Sequence, residues 1–245
     1  MEMTGHQRKP KQEERAGRPG RQEQPGHRSE WSAEECEAAS VALRFVGMLL
    51  LNEGTAETLA PVADPDLYER APYGAGRSDV QAGIGKLRQW ATSFQTNPSE
   101  ASQAVRADAV RLFLGPRHPW AAPWESVHRT RERMIFQDST LDVRARYRAF
   151  GLEAKQLGRE PDDSMALELE FLAIVLGREG KARRRHDIVE AQCCADEAAS
   201  FYREHIGRWY VSWCNAVDEH VNTEFYRGVS LLTRGFLEEL GESLA

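Results

Sequence analysis

The chain has 245 residues and a formal net charge of −6 at pH 7, which suits one large domain or two small ones. Apolar residues make up 41% and charged residues 29%, so collagen-like, wholly disordered and disulfide-scaffold proteins are excluded. The excess of acid disfavours a protein that coats nucleic acid. The longest apolar run, residues 41–51, includes Arg44 and is too short to span a bilayer. We therefore expect a cytoplasmic protein with no stable membrane insertion and no nucleic-acid partner.

Residues 1–30 differ in composition from the rest of the chain. They are rich in charged residues, Gly and Pro, and their only apolar side chains are Met1, Met3 and Ala16. Such a segment cannot bury enough surface to offset the entropy of ordering. The sequence therefore predicts a disordered tail over 1–30 and a folded domain over 31–245.

The folded part shows helical spacing of its apolar residues and no sustained alternation, which predicts an all-α fold, a single compact multi-helix bundle. Ser32, with Glu35 three residues on, predicts the start of the first helix. This helix would direct Val41, Phe45, Met48 and Leu49 inward and end near Gly54. Further helices are predicted over 78–94, 99–114, 139–157, from 161 onward, 182–205, 207–222 and 223–240, with a possible hinge near 158–161.

The helix predicted from Pro161 carries apolar residues on two faces. One stripe includes Met165 and Leu169, and a second includes Leu167 and Phe171. Two apolar faces are typical of a helix at the centre of a core. Asp162 and Asp163 would then be negative charges in the first turn of this helix, where the helix dipole stabilises them.

Motifs for catalysis or metal binding are weak. The segment Gly83–Lys86 lacks the spacing of a phosphate-binding loop. The Glu-x-x-His turn that ends at His128 occurs once, whereas a di-iron bundle needs two. Cys193 and Cys194 point about 100° apart on a helix, so one metal ion cannot easily take both. We therefore expect no catalytic constellation, no metal site and no cofactor of the protein's own.

Three segments together carry a resemblance to a known family. The first contains LFLGP at 112–116 and PWESV at 123–127, the second contains EPDD at 160–163 and LELEFL at 167–172, and the third contains FYREHIGRW at 201–209. In that order and at those separations, they resemble the TorD/DmsD/NarJ family of molybdoenzyme maturation chaperones. The similarity extends over about residues 32–240.

The resemblance implies an all-helical cytoplasmic chaperone of the TorD/DmsD type, either a monomer or a homodimer. Its partner would be the precursor of a molybdoenzyme catalytic subunit, similar to dimethyl sulfoxide reductase. The chaperone would bind the twin-arginine signal peptide of that precursor and favour cofactor insertion before export, without covalent chemistry. Two alternatives stay open: a NarJ-type assembly chaperone for a molybdoenzyme that is not exported, and a nucleotide hydrolase.

The resemblance also implies where the signal peptide binds. The family's positions correspond to two segments of this chain, and they fall at Pro123, Trp124, Ser126, Pro161, Asp163 and Ser164. A leader peptide needs an apolar groove and carboxylates for its guanidinium groups. The groove could be walled by Trp120 and Trp124, and the carboxylates could come from Glu125, Glu160, Asp162 and Asp163.

Two positions depart from the family pattern: Ser164 stands where family members usually carry His, and His128 stands where Tyr commonly follows Ser-Val. Any contact that depends on an imidazole is therefore lost at Ser164. If the remaining residues form an exposed binding surface, Trp124→Ala and Asp163→Ala should weaken peptide binding and leave the melting temperature nearly unchanged.

Overall fold

The computed structural model describes residues 31–115, 119–129, 134–135, 137–154 and 161–244, together with the backbone of residues 3–5. The fold is all-α, as predicted, with one short two-stranded ladder. Apart from residues 3–5, the predicted disordered tail lies outside the described residues. Most of the possible hinge near 158–161, including Glu160, also lies outside them.

The described elements follow one another closely along the chain. The helices are α1 Ala33–Leu50, α2 Ala56–Leu59, α3 Ser78–Thr96, α4 Pro98–Phe113, α5 Glu125–Arg129, α6 Asp138–Ala149, α7 Met165–Arg184, α8 Ile188–Glu204, α9 Tyr210–His220 and α10 Glu224–Leu244. Short 3-10 segments lie at Ala60–Val62, Pro65–Tyr68 and Ile206–Arg208. Strand β1 (Met3–Gly5) pairs antiparallel with strand β2 (Leu152–Ala154).

Local capping sets several of the helix starts. The Ser32 hydroxyl accepts a hydrogen bond from the Glu35 amide at 3.2 Å, and the Glu35 carboxylate accepts one from the Ser32 amide at 2.7 Å. This capping box confirms the predicted start of α1. Asn97 separates α3 from α4 and caps α4 by accepting from the Glu100 amide at 3.3 Å.

The core is organised around α7, as its two apolar faces predicted. Leu167, Phe171, Leu172 and Leu176 are all fully buried, and α7 packs against both α1 and α8. Around this centre, α10 packs against α3 and α9. The Trp209–Trp213 stripe and the apolar face of α10 are buried in the same core.

The predicted inward face of α1 was wrong for two residues. Val41 is 58% exposed and Met48 is 45% exposed, whereas Leu43 and Val46 are buried. Because α7 packs on the other face of α1, it buries Leu43 and Val46 and leaves Val41 and Met48 exposed. Gly47 marks that approach, because a Cβ atom there would lie 3.2 Å from the carbonyl oxygen of Ala166.

Two predicted helix boundaries were also wrong. The helix predicted over 139–157 ends at Ala149, because Gly151 adopts a φ of 70° and turns the chain into β2. The helix predicted from 182 begins only at Ile188, because α7 continues to Arg184. The basic residues at 183–185 therefore lie at the C-terminal end of α7, where the helix dipole stabilises positive charge.

Gly83 and Gly85 lie inside α3, so this glycine-rich segment forms no phosphate-binding loop. Gly83 instead allows α3 and α10 to approach closely: a Cβ atom added to Gly83 would lie 3.1 Å from the carbonyl oxygen of Gly228. The segment is thus a helix-packing site. None of the helices in the described ranges has the length and apolar character needed to cross a membrane.

Candidate functional site

The two segments predicted to bind a peptide meet through their backbones. The Glu125 amide donates to the Asp163 carbonyl at 2.8 Å, and the Met165 amide donates to the Pro123 carbonyl at 2.9 Å. Trp124 and Ser164 lie opposite each other in this short antiparallel bridge. The loop before α5 and the turn before α7 therefore form one unit, although 37 residues separate Ser126 from Asp163 along the chain.

Asp163 holds this unit together through its side chain. Its carboxylate accepts hydrogen bonds from the Ser126 amide at 2.8 Å and from the Thr140 hydroxyl at 3.0 Å. Asp163, Ser126 and Thr140 are all buried, and burial raises the pKa of the Asp163 carboxyl although the two hydrogen bonds oppose the shift. Asp163 thus links α5, α6 and the start of α7.

Asp162 binds an arginine of this chain. Its Oδ2 atom accepts from Arg144 Nε at 2.8 Å and from Arg144 Nη2 at 2.6 Å, and the side chain is 1% exposed. The Tyr147 hydroxyl donates to the Asp162 carbonyl at 3.0 Å. The guanidinium group of Arg144 therefore binds the Asp162 carboxylate, which the sequence suggested as an acceptor for an arginine of the leader peptide.

The helix start was predicted at Pro161, but the N-cap of α7 is Ser164. The Ser164 hydroxyl accepts from the Leu167 amide at 3.4 Å. Pro161, Asp162 and Asp163 are buried before the helix begins. The two aspartates are consequently not first-turn charges, and their ion-pair and hydrogen-bond partners on α6 and α5 explain their burial.

Glu125 connects this unit to the end of α8. Its carboxylate lies 2.9 Å from His205 Nδ1 and also pairs with Arg129 on the next turn of α5. Both Glu125 and His205 are buried, with side chains 0% and 2% exposed. The other ring nitrogen of His205 lies 3.0 Å from a carboxylate oxygen of Asp142 on α6.

Glu168 adds a third buried carboxylate to Glu125 and Asp163. Its Oε2 atom accepts a hydrogen bond from Trp209 Nε1 at 3.1 Å, whereas its Oε1 atom is buried without a hydrogen bond. Burial raises the pKa of Glu168 well above its ordinary value, and the charges of Glu125 and Asp163 add to the shift. A buried acidic cluster thus lies behind the joined segments.

A cleft of about 490 Å³ opens beside this cluster. It lies between the end of α5, the first two turns of α6 and the end of α8. Its lining residues are Arg129, Gln137, Asp138, Ser139, Asp142, Glu204, His205 and Arg208. The described residues that line the cleft all have polar or charged side chains.

The two tryptophans suggested as groove walls lie elsewhere. Trp120 is 56% exposed and stacks on the ring of His220, with 4.2 Å between the ring centroids. Trp124 is half-buried at the bridge with Ser164. Neither residue belongs to the lining of the cleft.

Residues suggested as metal ligands are also accounted for. His128 contacts the Ala122 carbonyl at 2.7 Å and Ser212 at 3.1 Å. Cys193 is exposed and Cys194 is buried. Within the described ranges, no group of three or more His, Cys, Asp or Glu side chains is arranged to hold a metal ion.

Sequence reasoning did not single out Thr140, Asp142, Arg144 or His205 as site residues. His205 lies within the third segment of the resemblance, which was a usable signal. The three residues of α6 carried no signal, because their helix is polar and their partners lie on other elements. The structure brings all of them to the joined segments.

The chain is thus an all-α protein in which backbone hydrogen bonds join the Pro-Trp and Pro-Asp-Asp segments. The model of the nitrate reductase delta subunit family matches residues 76–215, which is more than half of the chain. The chain therefore belongs to this family, which includes the TorD, DmsD and NarJ proteins.

Curated relatives carry chaperone names. The chain is 30% identical over 145 residues to the Tat proofreading chaperone DmsD of Salmonella paratyphi A, covering 59% of this chain and 62% of that protein. It is 24% identical over 162 residues to a probable Tat proofreading chaperone DmsD of Haemophilus influenzae, covering 62% and 72%. It is 24% identical over 137 residues to the chaperone protein TorD of Vibrio vulnificus, covering 56% and 62%.

Proposed function

We propose that the protein is a cytoplasmic chaperone for the precursor of a molybdopterin oxidoreductase catalytic subunit. It binds the twin-arginine signal peptide of that precursor and assists cofactor insertion before export. The observation that carries this proposal is the junction of the two predicted binding segments beside a cleft whose lining includes three carboxylates, those of Asp138, Asp142 and Glu204. The names of the DmsD and TorD relatives support the chaperone class.

The chemistry of binding needs no reacting group. Carboxylates at a cleft rim can accept paired hydrogen bonds from the guanidinium groups of a leader peptide. Burial of ~400 Å² of peptide at about 25 cal/mol/Å² contributes ~10 kcal/mol before the cost of ordering the peptide. The net affinity is then micromolar or somewhat tighter. Such affinity suits a partner that must later be released.

Binding is tested with two synthetic leader peptides of a dimethyl sulfoxide reductase catalytic subunit. One retains its arginine pair, and the other has both arginines replaced by lysine. We expect about fivefold or tighter binding of the arginine peptide by calorimetry, because only a guanidinium forms two parallel bonds to one carboxylate. Equal, weak binding of both peptides would contradict the proposal.

That same result would favour the second candidate, a NarJ-type assembly chaperone for an enzyme that is not exported. The family to which the chain belongs includes the NarJ proteins as well, so the same match supports this candidate equally. Cofactor insertion has its own measurement, which is the cofactor content of a client purified with and without the chaperone. A lower content without the chaperone is expected under either candidate.

A further inference from the structure

The two most exposed large apolar side chains of the described ranges lie next to each other. Ile188 is 80% exposed and Val189 is 82% exposed, and both belong to the first turn of α8. Single apolar residues on a protein surface are ordinary, whereas apolar residues that form a contiguous exposed surface mark interaction sites. The start of α8 is therefore a candidate docking surface.

Ile188 and Val189 border a hollow between the end of α6 and the first half of α8. The hollow has two adjoining parts of about 760 Å³ and 470 Å³, which share Phe150, Val189 and Cys193 in their linings. Most of the accessible wall of both parts is apolar. This region, called the α8 hollow below, differs in character from the polar cleft beside the joined segments.

Phe150 forms a fixed wall of the α8 hollow. Its ring packs edge-on against the ring of the buried Phe171, with 5.6 Å between the centroids. Arg178 donates to the Phe150 carbonyl at 2.9 Å, and its guanidinium group lies 5.7 Å from the centre of the Phe150 ring. A wall that is already ordered lowers the entropic cost of binding a ligand.

The charged residues of the α8 hollow are mainly acidic. Its lining includes four carboxylates and one guanidinium group, those of Asp187, Glu190, Asp196, Glu197 and Arg178. Two of the carboxylates have basic partners: Glu190 pairs with Arg185, and Glu197 pairs with Arg146. The other two have no basic partner in the part of the chain that the structure describes. Apolar walls beside uncompensated acids are complementary to an apolar segment that is flanked by basic residues.

The α8 hollow continues the line of the cleft along α8. Between them, Arg146 of α6 contacts Glu197, Ser200 and Glu204 of α8. Glu197 and Ser200 line the hollow, whereas Glu204 lines the cleft. At 1.5 Å per residue, the helix from Val189 to Glu204 is about 22 Å long. About seven extended residues span that distance, so one peptide can reach both.

We propose that the α8 hollow binds the apolar run of the leader peptide. Ile188 and Val189 cover one side of the run and Phe150 the other, while Asp187 and Asp196 face the basic residues that flank it. This inference rests on the proposed function and deepens it, because it names a docking surface outside the two segments suggested from the sequence.

The test uses the full chain with the arginine leader peptide described above and with a second peptide in which serine replaces every residue of the apolar run. Ile188→Thr and Val189→Thr are combined in one variant, because threonine keeps the β-branched shape and removes apolar surface. Val41→Thr is the matched control, since Val41 is a helical valine that is 58% exposed on α1, outside the hollow.

We expect the double variant to bind the leader about tenfold more weakly than the wild type by calorimetry, because two buried apolar contacts are lost. Val41→Thr should bind it at wild-type strength. The serine peptide should bind weakly and equally to all three proteins. Both substituted positions are exposed, so thermal midpoints should stay close to the wild-type value.

The native thiol of Cys193 gives a second, direct readout. Cys193 lines the hollow and is exposed, whereas Cys36, Cys194 and Cys214 are buried. At a leader concentration of about ten times the dissociation constant, alkylation of Cys193 by N-ethylmaleimide should slow about tenfold, because few chains are then free of peptide. The serine peptide at the same concentration should have little effect, and Cys193→Ser measures the background from the buried thiols.

The outcomes that overturn the inference are distinguishable from failure of the proposed function. If the wild-type chain binds the leader but the double variant binds it equally well, or the leader leaves the alkylation rate unchanged, the docking surface is wrong and the proposed function stands. If the wild-type chain does not bind the leader, both fail.

Other occupants of the α8 hollow would also be visible in the alkylation rate without peptide. A rate that falls as the protein concentration rises would mean that a second copy of the chain covers the hollow. A rate that is independent of concentration, but far slower than in the urea-unfolded chain, would mean that the chain's own residues cover it. Either result would overturn the inference.

Discussion

Replacement of Asp163 by alanine tests whether this residue is a structural link or an exposed contact. The change removes the acceptor of two buried donors, the Ser126 amide at 2.8 Å and the Thr140 hydroxyl at 3.0 Å. A buried donor left without a partner costs about 1–3 kcal/mol. The cost is partly offset because burial already disfavours the charged form of Asp163 and raises its pKa.

The net loss for Asp163→Ala is therefore about 2–4 kcal/mol. For a chain of this size, each kcal/mol lowers the melting temperature by roughly 2–4 °C, so a fall of about 5–15 °C is expected. The assay is urea and thermal unfolding followed by circular dichroism. This expectation replaces the one drawn from the sequence, in which Asp163→Ala left stability nearly unchanged.

Two further variants make the measurement specific. Asp66→Ala removes an exposed aspartate and should change stability by about 0.5 kcal/mol or less. Thr140→Val removes one of the two donors, so in combination with Asp163→Ala it should cost less than the sum of the single changes. A melting temperature of Asp163→Ala within experimental error of the wild type would refute the linking role.

Two other predictions concern stability. Burial raises the pKa of Glu168 in the native state. At pH values between the pKa of the unfolded state and that of the native state, the native state therefore binds more protons. The free energy of unfolding should consequently fall as pH rises through the native pKa. Glu168→Gln should flatten this dependence in urea melts taken across pH, and parallel curves for both proteins would contradict it. Gly228→Ala places a Cβ atom 2.7 Å from Leu87 and should destabilise the protein by about 1–3 kcal/mol. A Cβ atom added to Gly85 would have no neighbour within 4 Å, so Gly85→Ala should instead stabilise the protein by about 0.5–1 kcal/mol. Equal effects of the two glycine changes would disprove close packing of α3 on α10.

Much of the fold could be predicted because helix signals act over a few residues. The capping box of Ser32 and Glu35, and the break before Pro98, placed two helix starts within a residue of the observed ones. The apolar stripes of the central helix predicted its burial on two faces. The end of α6 was missed, although Gly151 lies two residues after Ala149 and glycine is a common residue just past a helix end.

The candidate site was predicted in its segments but not in its contacts. The Pro123–Ser126 and Pro161–Ser164 segments do meet, as their joint assignment to one site requires. Their aspartates were expected to face a ligand, and the structure instead shows Asp162 paired with Arg144. Charge alone does not distinguish a carboxylate that awaits a partner from one that already has a partner elsewhere in the chain.

The sequence by itself determined the helical class, several helix starts and the central position of α7, whereas the two segments of the candidate site came from the family resemblance. The first three properties depend on periodicity and on contacts between residues three or four apart. The tertiary structure alone decided which carboxylates are internal and which face the cleft. The reason is distance along the chain: the partners of Asp162, Asp163 and Glu125 include residues 18, 37 and 80 positions away, and only packing of α5, α6 and α8 brings those charges together.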